Sequence, residues 1–326
     1  MPSPLKRRFI SAAIAVWTAT LIPGLASAQT TWPRQPIKII MPAPAGSAPD
    51  VMMRLIGEKL STQLGKPVVI DNKVGAGGIV AVQALQNAQD NHTAIFMFTS
   101  VVLTPMLFKT AKFDATRDFE AIAGLAETTM MMIASPSAPA KTLPEIIKLA
   151  QEKPEKLVIG HSGPGSLSHL TAESVSQQSK ARFQIVSFGN PGNALTALVN
   201  GDAQYYTDGV AAVMPFVKSG RVVPVGVFSS STLPGLENYK LINETLPGTE
   251  IMGRFGLMAT KDLPKDAIPI LNTALAKALA DPEVIAKLRE FGTYPRYSGA
   301  TAYAETIRKE QSQWTQVLKT AGIEPQ

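Results

Sequence analysis

Cysteine is absent from all 326 residues. The chain therefore has no disulfides, although an exported protein could form them, and it has no acceptor cysteine for a lipoprotein anchor. Beyond residue 28 the sequence also lacks any run of about 18 apolar residues, the length that a membrane-spanning helix requires. We therefore expect neither a covalent lipid anchor nor a second membrane segment.

Histidine is nearly as scarce, with three residues in the chain, at His92, His161 and His169. They are scattered and lack the spacing of metal ligands. No metal and no cofactor is expected. The same scarcity limits acid–base chemistry, because no histidine follows His169.

A secretory signal occupies the first residues. Lys6, Arg7 and Arg8 precede an apolar stretch, and Ala26-Ser27-Ala28 resembles a cleavage site, so the mature chain begins at Gln29 and is periplasmic. A transmembrane anchor is the alternative, but no stop-transfer flank follows. Removing 28 of 326 residues leaves 298, and losing three basic residues lowers the formal charge from +6 to +3. That charge does not indicate nucleic-acid binding.

Short apolar runs alternate with helical patterns along the mature chain, which predicts an α/β fold with mostly parallel sheets. Strands are predicted at 37–41, 68–71, 94–98, 130–134, 157–160, 183–188, 203–207 and 222–228. Ser135–Thr142 is predicted to be a linker into a second unit, and Gly253–Pro264 the return. The domains are then 29–131 with 254–326, and 132–253, after a signal peptide at 1–28.

Several predicted strands run directly into helix starts rich in Gly, Pro, Ser and Asn. In the first, Ser47 and Asp50 have capping-box spacing and Pro49 suits a first helical turn. A helix start exposes unpaired N–H groups and the positive end of its dipole, so it can hold a carboxylate without a cationic side chain. Such starts gather at one edge of an open α/β sheet. Ordinary βα turns have the same composition, and remain the alternative for each loop: 42–50, 72–78, 161–169, 190–191 and 208–209.

Two of these loops resemble catalytic or cofactor motifs. Gly160-His161-Ser162-Gly163-Pro164 nearly matches the G-x-S-x-G elbow of serine hydrolases. Pro164 replaces the final glycine, and the late histidine that would serve as base is missing. The loop at Gly75–Gly78 lacks the last glycine of the dinucleotide fingerprint, since Val80 stands there. Neither motif is complete.

Taken in order, the motifs resemble one family, the extracytoplasmic receptors of tripartite tricarboxylate transporters, known as the Bug or TctC family. The resemblance covers nearly the whole mature chain. Trp32–Ile37 is similar to the family's Y-P-x-K-P-I opening, and later segments match V-P-F-P-P-G-G-G-T-D, E-N-R-P-G-A-G-G, G-x-G-S-P-S-H-L and F-G-L-L-A. These segments are 41–50, 71–78, 163–170 and 255–259.

The resemblance implies a two-lobed, type II-like clamshell that closes on a small carboxylate such as a dicarboxylate, tricarboxylate, amino acid or aromatic acid. It implies a monomeric, non-enzymatic receptor that delivers its ligand to membrane transporter subunits. The family's site positions correspond to residues from both lobes: Pro44, Ala45, Gly46, Ser47, Ala48, Asp50, Thr99, Ser100, Ser162, Gly163, Ser166, Ser168, His169 and Asp208.

Departures from the family pattern indicate that the ligand differs from a common tricarboxylate. Ser47-Ala48-Pro49 replaces Gly-Gly-Thr, and Phe188-Gly189-Asn190 replaces Y-K-G, which removes a lysine from the cleft region. Phe188, Asn190 and Arg254 are added as candidate contacts, because Phe188 and Arg254 would suit an aromatic acid or a second carboxylate. An exported hydrolase using Ser162 and a periplasmic sensor domain remain the alternative functions.

Overall fold

The computed structural model describes residues 32–325. The predicted signal peptide and its cleavage site lie outside the described residues. The described part contains ten strands and ten α-helices, which alternate except that β9 follows β8 without an intervening α-helix and α9 follows α8. The strands are β1 Ile37–Met41, β2 Val68–Asn72, β3 Thr93–Phe98, β4 Phe119–Ala134, β5 Val158–His161, β6 Gln184–Ser187, β7 Tyr205–Gly209, β8 Val223–Val227, β9 Met252–Thr260 and β10 Thr293–Gly299.

The helices cover most of the segments between these strands. They are α1 Ala48–Leu64, α2 Ile79–Gln86, α3 Thr99–Leu107, α4 Leu143–Glu152, α5 Leu167–Ser179, α6 Pro191–Asn200, α7 Val210–Lys218, α8 Ala267–Leu279, α9 Pro282–Glu290 and α10 Ala300–Ala321. Inside the described region, none of them combines the length and apolar character needed to cross a bilayer.

The strands form one curled sheet in the order β2-β1-β3-β9-β4-β7-β5-β6, with β8 and β10 also pairing with β4. The long strand β4 joins two lobes. Up to Thr129 it pairs with β9 and, in part of that stretch, with β10; from Met130 onward it pairs with β7 and β8. We call the first set the first lobe and the strands β5–β8 with the end of β4 the second lobe. The predicted domain boundaries lie near this change of partners and stay a prediction.

The prediction of mostly parallel sheets is wrong for the centre of the molecule. β1 pairs in parallel with β2 and β3, and β5 with β6 and β7, but every described partner of β4 is antiparallel to it. Gly253–Pro264, predicted to be a return linker, largely forms strand β9, which pairs with both β3 and β4. The chain thus returns to the first lobe as a central strand.

Local sequence signals explain most helix ends. α1 begins with Pro49 in its first turn and ends at Gly65, whose φ of 66° is the left-handed conformation common at helix ends. Asn190 caps α6 by accepting a hydrogen bond from the Asn193 amide at 2.9 Å. The capping box expected at α1 does not form, because the Ser47 hydroxyl donates instead to the Pro44 carbonyl at 2.7 Å.

Two helices pack against both lobes. Leu103 and Leu107 of α3 are buried in the same apolar cluster as the second-lobe residues around β5 and α5. Trp314 and Leu318, near the end of α10, join that cluster, whereas Tyr303 and Ile307 near its start are buried in the first lobe. Apolar burial of this kind stabilises the contact between elements. α3 and α10 therefore tie the lobes together beside the cleft.

Candidate functional site

A cavity of about 440 Å³ lies where loops of the two lobes face one another. The first lobe contributes Pro42 after β1, the loop Val74–Gly78 after β2, and the end of β3 with the start of α3. The second lobe contributes Ser162–Ser166, the loop between β5 and α5. Parts of three of the five predicted helix-start loops thus meet in one crevice, whereas the loops at 190–191 and 208–209 do not line it.

Four of the residues predicted from sequence line this cavity: Ser100, Ser162, Gly163 and Ser166. Sequence reasoning also noted the 72–78 loop but assigned no contact to it. Its glycines need their small size, because Gly78 has a φ of 96° and a Cβ there would lie 2.7 Å from Val101 Cγ2. The Thr104 hydroxyl donates to the Gly77 carbonyl at 2.6 Å and holds the loop against α3.

The second-lobe side of the cavity is built around a chain of serine hydroxyls. Ser168 Oγ lies 2.9 Å from both Ser162 Oγ and Ser166 Oγ, and it accepts from the Ser162 amide at 3.0 Å. Ser166 caps α5 by accepting from the His169 amide at 3.2 Å, while its hydroxyl donates to the Gly163 carbonyl at 2.7 Å. This network fixes the loop at the positive end of α5.

The two histidines of this region stack on each other behind the loop. Their ring centroids are 4.2 Å apart, and His161 Nδ1 lies 2.9 Å from the Gly163 carbonyl. Burial, with His169 beside it, lowers the pKa of His161 to about 4. Both rings line a second cavity of about 400 Å³ shared with the end of α10, so the predicted contact at His169 faces that side.

The first-loop residues are arranged around Asp50. Pro44, Ala45 and Gly46 are exposed, Ser47 and Ala48 are half-buried, and none of them lines the cleft cavity described above. Asp50 is buried and accepts from the Gly46 amide at 2.8 Å, from Arg54 and from Asn72. Burial opposes its ionisation, but these hydrogen bonds outweigh burial and lower the pKa of Asp50. Asp50 therefore holds the 44–50 loop in its conformation and does not face the cleft cavity.

Thr99 and Arg254 lie behind the cleft rather than in its wall. Thr99 is buried; its hydroxyl donates to Glu310 Oε1 at 3.1 Å and accepts from the Arg254 amide at 2.9 Å. The Arg254 guanidinium pairs with Glu127 at 3.1 Å and with Glu310 at 2.7 Å, in a separate cavity between the sheet and α10. Arg254 is therefore already paired with two carboxylates inside the protein.

The remaining predicted contacts belong to the second lobe. Phe188 is half-buried and packs on Gly160, where a Cβ would lie 3.0 Å from its ring; Asn190 is exposed as the α6 cap. Asp208 accepts hydrogen bonds from the Tyr206 hydroxyl and, at 2.7 Å, from the Gly209 amide. Burial raises the pKa of the Asp208 carboxyl and also that of Tyr206. None of the three predicted contacts lines the cleft cavity.

The side chains around Ser162 were compared with the requirements of a metal site and of a serine nucleophile. Among the described residues, no group of three or more acidic or histidine side chains is placed to hold a metal ion. The Ser162 hydroxyl is hydrogen-bonded to Ser168, whereas both neighbouring histidine side chains make their hydrogen bonds to loop backbone groups. The near-match to a hydrolase elbow is therefore a serine turn.

The curled two-lobed sheet with an interlobe crevice is that of a periplasmic solute-binding protein, not of an enzyme. Residues 51–323 match the family described as tripartite tricarboxylate transporter family receptor, so the chain belongs to that family. A UPF0065 protein of Bordetella bronchiseptica is 28% identical over 90% of this chain and 88% of its own. BugT of Bordetella pertussis is 24% identical over 95% of this chain and 97% of its own.

Solved structures agree with this assignment. R. palustris Rpa4515 with adipate has a TM-score of 0.79 and 26% identity, covering 90% of this chain and 100% of that one. MatC from Rhodopseudomonas palustris with bound malate has a TM-score of 0.74 and 27% identity, covering 88% and 100%. The predicted family and the two-lobed fold are confirmed.

Proposed function

We propose that this chain is a periplasmic receptor that captures a small carboxylate in the interlobe cleft and delivers it to the membrane subunits of a tripartite tricarboxylate-type transporter. One observation carries the proposal: the starts of α3 and α5 and the glycine loop 75–78 line one cavity of about 440 Å³. Unpaired amides at helix starts favour a bound anion. Adipate and malate in two structural neighbours support a carboxylate.

The proposed contacts follow from the lining of the cleft. Ser100, Ser162, Gly163 and Ser166 hold the carboxylate with hydroxyls and backbone amides, because the cavity lining contains no basic side chain among the described residues. The other predicted contacts, in the 44–50 loop and at Thr99, Ser168, His169, Phe188, Asn190, Asp208 and Arg254, remain predictions. The exported, monomeric state is part of the same proposal.

Ligand capture requires that the two lobes close. A ligand shifts the open and closed populations by the difference in its affinity for the two states. The Ser162–Ser166 loop and the first-lobe residues around Ser100 lie on opposite sides of the cavity, so one small anion that touches both favours the closed state. The closed receptor is the form proposed to meet the transporter.

A thermal-shift screen tests the ligand class. The processed protein, purified from the periplasm, is screened against carboxylates, neutral sugars and amines. An acid at roughly 100 times its dissociation constant should add about 2.7 kcal/mol of stability, which raises the melting temperature by roughly 5 °C. A shift with sugars or amines but with no acid refutes the carboxylate assignment.

Ser100→Ala tests the site itself. Ser100 is exposed and lines the cleft, so its substitution should leave stability unchanged. A hydrogen bond to a charged group contributes about 1.5–3 kcal/mol, so affinity for the cognate acid should fall about tenfold or more. Ser230→Ala is the matched control, since Ser230 is also exposed but bonds to Glu250 away from the cleft. Equal affinity of the two variants in calorimetry removes Ser100 from the site.

A further inference from the structure

A second cavity borders the cleft cavity across the Ser162–Ser166 loop. It has a volume of about 400 Å³ and shares Leu107, Phe108, Pro164 and Gly165 with the cleft lining. We call it the back cavity, and its lining is completed by His161, His169, Ile185, Ser187 and residues 322–324. Its volume is within the range of pockets that hold small molecules.

One of the two stacked histidines in this lining has partners at both ring nitrogens. His169 Nδ1 accepts a hydrogen bond from the Gly165 amide at 3.0 Å, so the ring proton lies on Nε2. His169 Nε2 is 3.6 Å from the Glu173 carboxylate. His169 therefore offers the back cavity no free acceptor.

His161 differs, because one of its ring nitrogens has no partner. Its Nδ1 lies 2.9 Å from the Gly163 carbonyl and 3.2 Å from the Gly163 amide, and the shorter contact assigns the proton to Nδ1. Burial, with His169 beside it, lowers the pKa of His161 to about 4, so the ring is neutral at pH 7 and Nε2 bears a lone pair. No residue in the described part of the chain forms a hydrogen bond with that Nε2.

The free Nε2 of His161 is open to the back cavity. The side chain is 4% exposed, yet every fully buried side-chain nitrogen or oxygen of the described residues has a hydrogen-bond partner. Nε2 is therefore not fully buried, and the His161 ring lines the back cavity but not the cleft cavity. Its lone pair accepts a hydrogen bond and repels a carboxylate, which has only lone pairs to offer. The back cavity thus requires a ligand that carries a donor.

The other side chains of the wall suit an aromatic ring. Leu107, Phe108, Ile185 and Ile323 supply apolar surface, and the two histidine rings stack at 4.2 Å with an interplanar angle of 18°. Aromatic molecules pack favourably against the faces and edges of such rings. A flat ligand with one donor therefore satisfies both the apolar wall and Nε2.

We propose that the back cavity binds a small aromatic molecule whose hydroxyl or N–H group donates to His161 Nε2. This site goes beyond the proposed carboxylate site, although the two ligands would lie on either side of the same loop at Pro164 and Gly165. An ordered water that donates to Nε2 is the competing occupant.

Phenol and toluene test the proposal, because phenol has the hydroxyl donor that toluene lacks. Both are titrated into the processed protein, labelled with nitrogen-15 at histidine, and binding is followed by NMR. We expect phenol to bind and to shift the Nε2 resonance of His161 much further than toluene does. Absence of phenol binding, or an equal shift with both compounds, leaves water as the occupant and overturns the proposal. Neither result affects the carboxylate receptor, which the thermal-shift screen tests separately.

His161→Phe tests the hydrogen bond itself, since phenylalanine keeps a stacked ring but has no acceptor. The preference for phenol over toluene, taken as the ratio of their dissociation constants, should fall about fivefold, the contribution of one hydrogen bond. His92→Phe is the matched control: His92 is also buried and stacked on a ring, that of Trp32, but lines neither cavity. The same ratio in both variants overturns the assignment of Nε2 as the acceptor.

Discussion

Replacing Arg254 with methionine separates the stability of the contact between β4, β9 and α10 from recognition in the cleft. Arg254 lies on β9 between Glu127 of β4 and Glu310 of α10, at 3.1 and 2.7 Å. Glu310 is 4% exposed, and burial raises its pKa while Arg254 opposes that rise. Methionine keeps much of the side-chain volume but leaves both carboxylates without their shared cation.

The expected loss of stability is about 3 kcal/mol. Removing one partner of a buried ion pair costs about 3–5 kcal/mol because the other charge stays buried and unpaired. The lower end applies here, since the Arg254 side chain is 26% exposed and solvent screens part of the charge. At about 2 °C per kcal/mol for a chain of this size, the melting temperature should fall by on the order of 6 °C.

The loss of stability in Arg254→Met should depend on pH through the ionisation of Glu310. Without Arg254 the folded-state pKa of Glu310 rises further above its unfolded value. The folded state then binds the proton more tightly, so stability is greatest at low pH and falls as pH rises through that window. The deficit of Arg254→Met relative to wild type should therefore shrink towards pH 4. Glu310→Gln in the same chain should recover part of the loss at pH 7.

Urea unfolding and calorimetry on the same samples provide the assay. Arg308→Met is the control, because Arg308 forms an exposed pair with Glu305 and its side chain is 60% exposed; such surface pairs contribute about 0–1 kcal/mol. A loss for Arg254→Met no larger than for the control would refute the buried-pair argument. Loss of ligand affinity at pH 7 without loss of stability would return Arg254 to the binding site.

Two further substitutions test single contacts. Gly165→Ala should destabilise the protein by about 2–4 kcal/mol in urea unfolding, because φ is +71° and the new Cβ would lie 2.4 Å from Leu107. Gly235→Ala is the control: its φ is +84° with open space around it, so it should lose only about 1–2 kcal/mol through backbone strain. Equal losses of stability in the two variants would contradict the steric overlap between the new Cβ and Leu107. Asp208→Asn should become more stable relative to wild type as pH rises above about 4, because the raised pKa of Asp208 makes the stability of the wild type fall as pH rises. A stability difference between the two proteins that does not change with pH would contradict the burial of the Asp208 carboxyl.

The sequence predicted the elements with local signals. Ile37–Met41 is a strand at the predicted bounds, and Pro49 and Asn190 stand at helix starts as expected. The first part of β4, Phe119–Thr129, was not predicted, because three alanines, one glycine and two glutamates interrupt its apolar pattern. Strand β9 was assigned to a linker for a related reason.

Gly124 of β4 and Gly256 of β9 leave the space in which the Tyr303 ring packs. A Cβ at Gly256 would lie 2.1 Å from the Tyr303 ring, and one at Gly124 would lie 3.1 Å from it. Tyr303 belongs to α10, far away in the sequence, so no local sequence pattern predicts its contact with these glycines. Glycine in a strand often marks such a close approach, but the sequence alone does not say what approaches.

The residues of the candidate site were likewise predicted only in part. Ser100, Ser162, Gly163 and Ser166 were identified from the helix-start pattern and the family resemblance, and they line the cleft. Phe98, Leu107 and Phe108 were missed, because an apolar residue at the end of a strand or helix looks like core. The family pattern around Asn72–Gly78 was the available signal for the glycine loop.

The distribution of charge links the fold to the ligand. Asp50 and Arg254, two charged residues that were predicted to contact the ligand, have partners inside the protein: Asp50 binds Arg54 and Asn72, and Arg254 binds Glu127 and Glu310. These contacts hold the 44–50 loop and the neighbouring strands β4 and β9 in place, while the cleft cavity is lined by glycines, prolines, Ser and Thr side chains and apolar side chains. In the proposed function, recognition depends on fixed dipoles and on apolar burial, both of which strengthen when water leaves a closing cleft. The proposal therefore expects the site to gain its affinity when the lobes close.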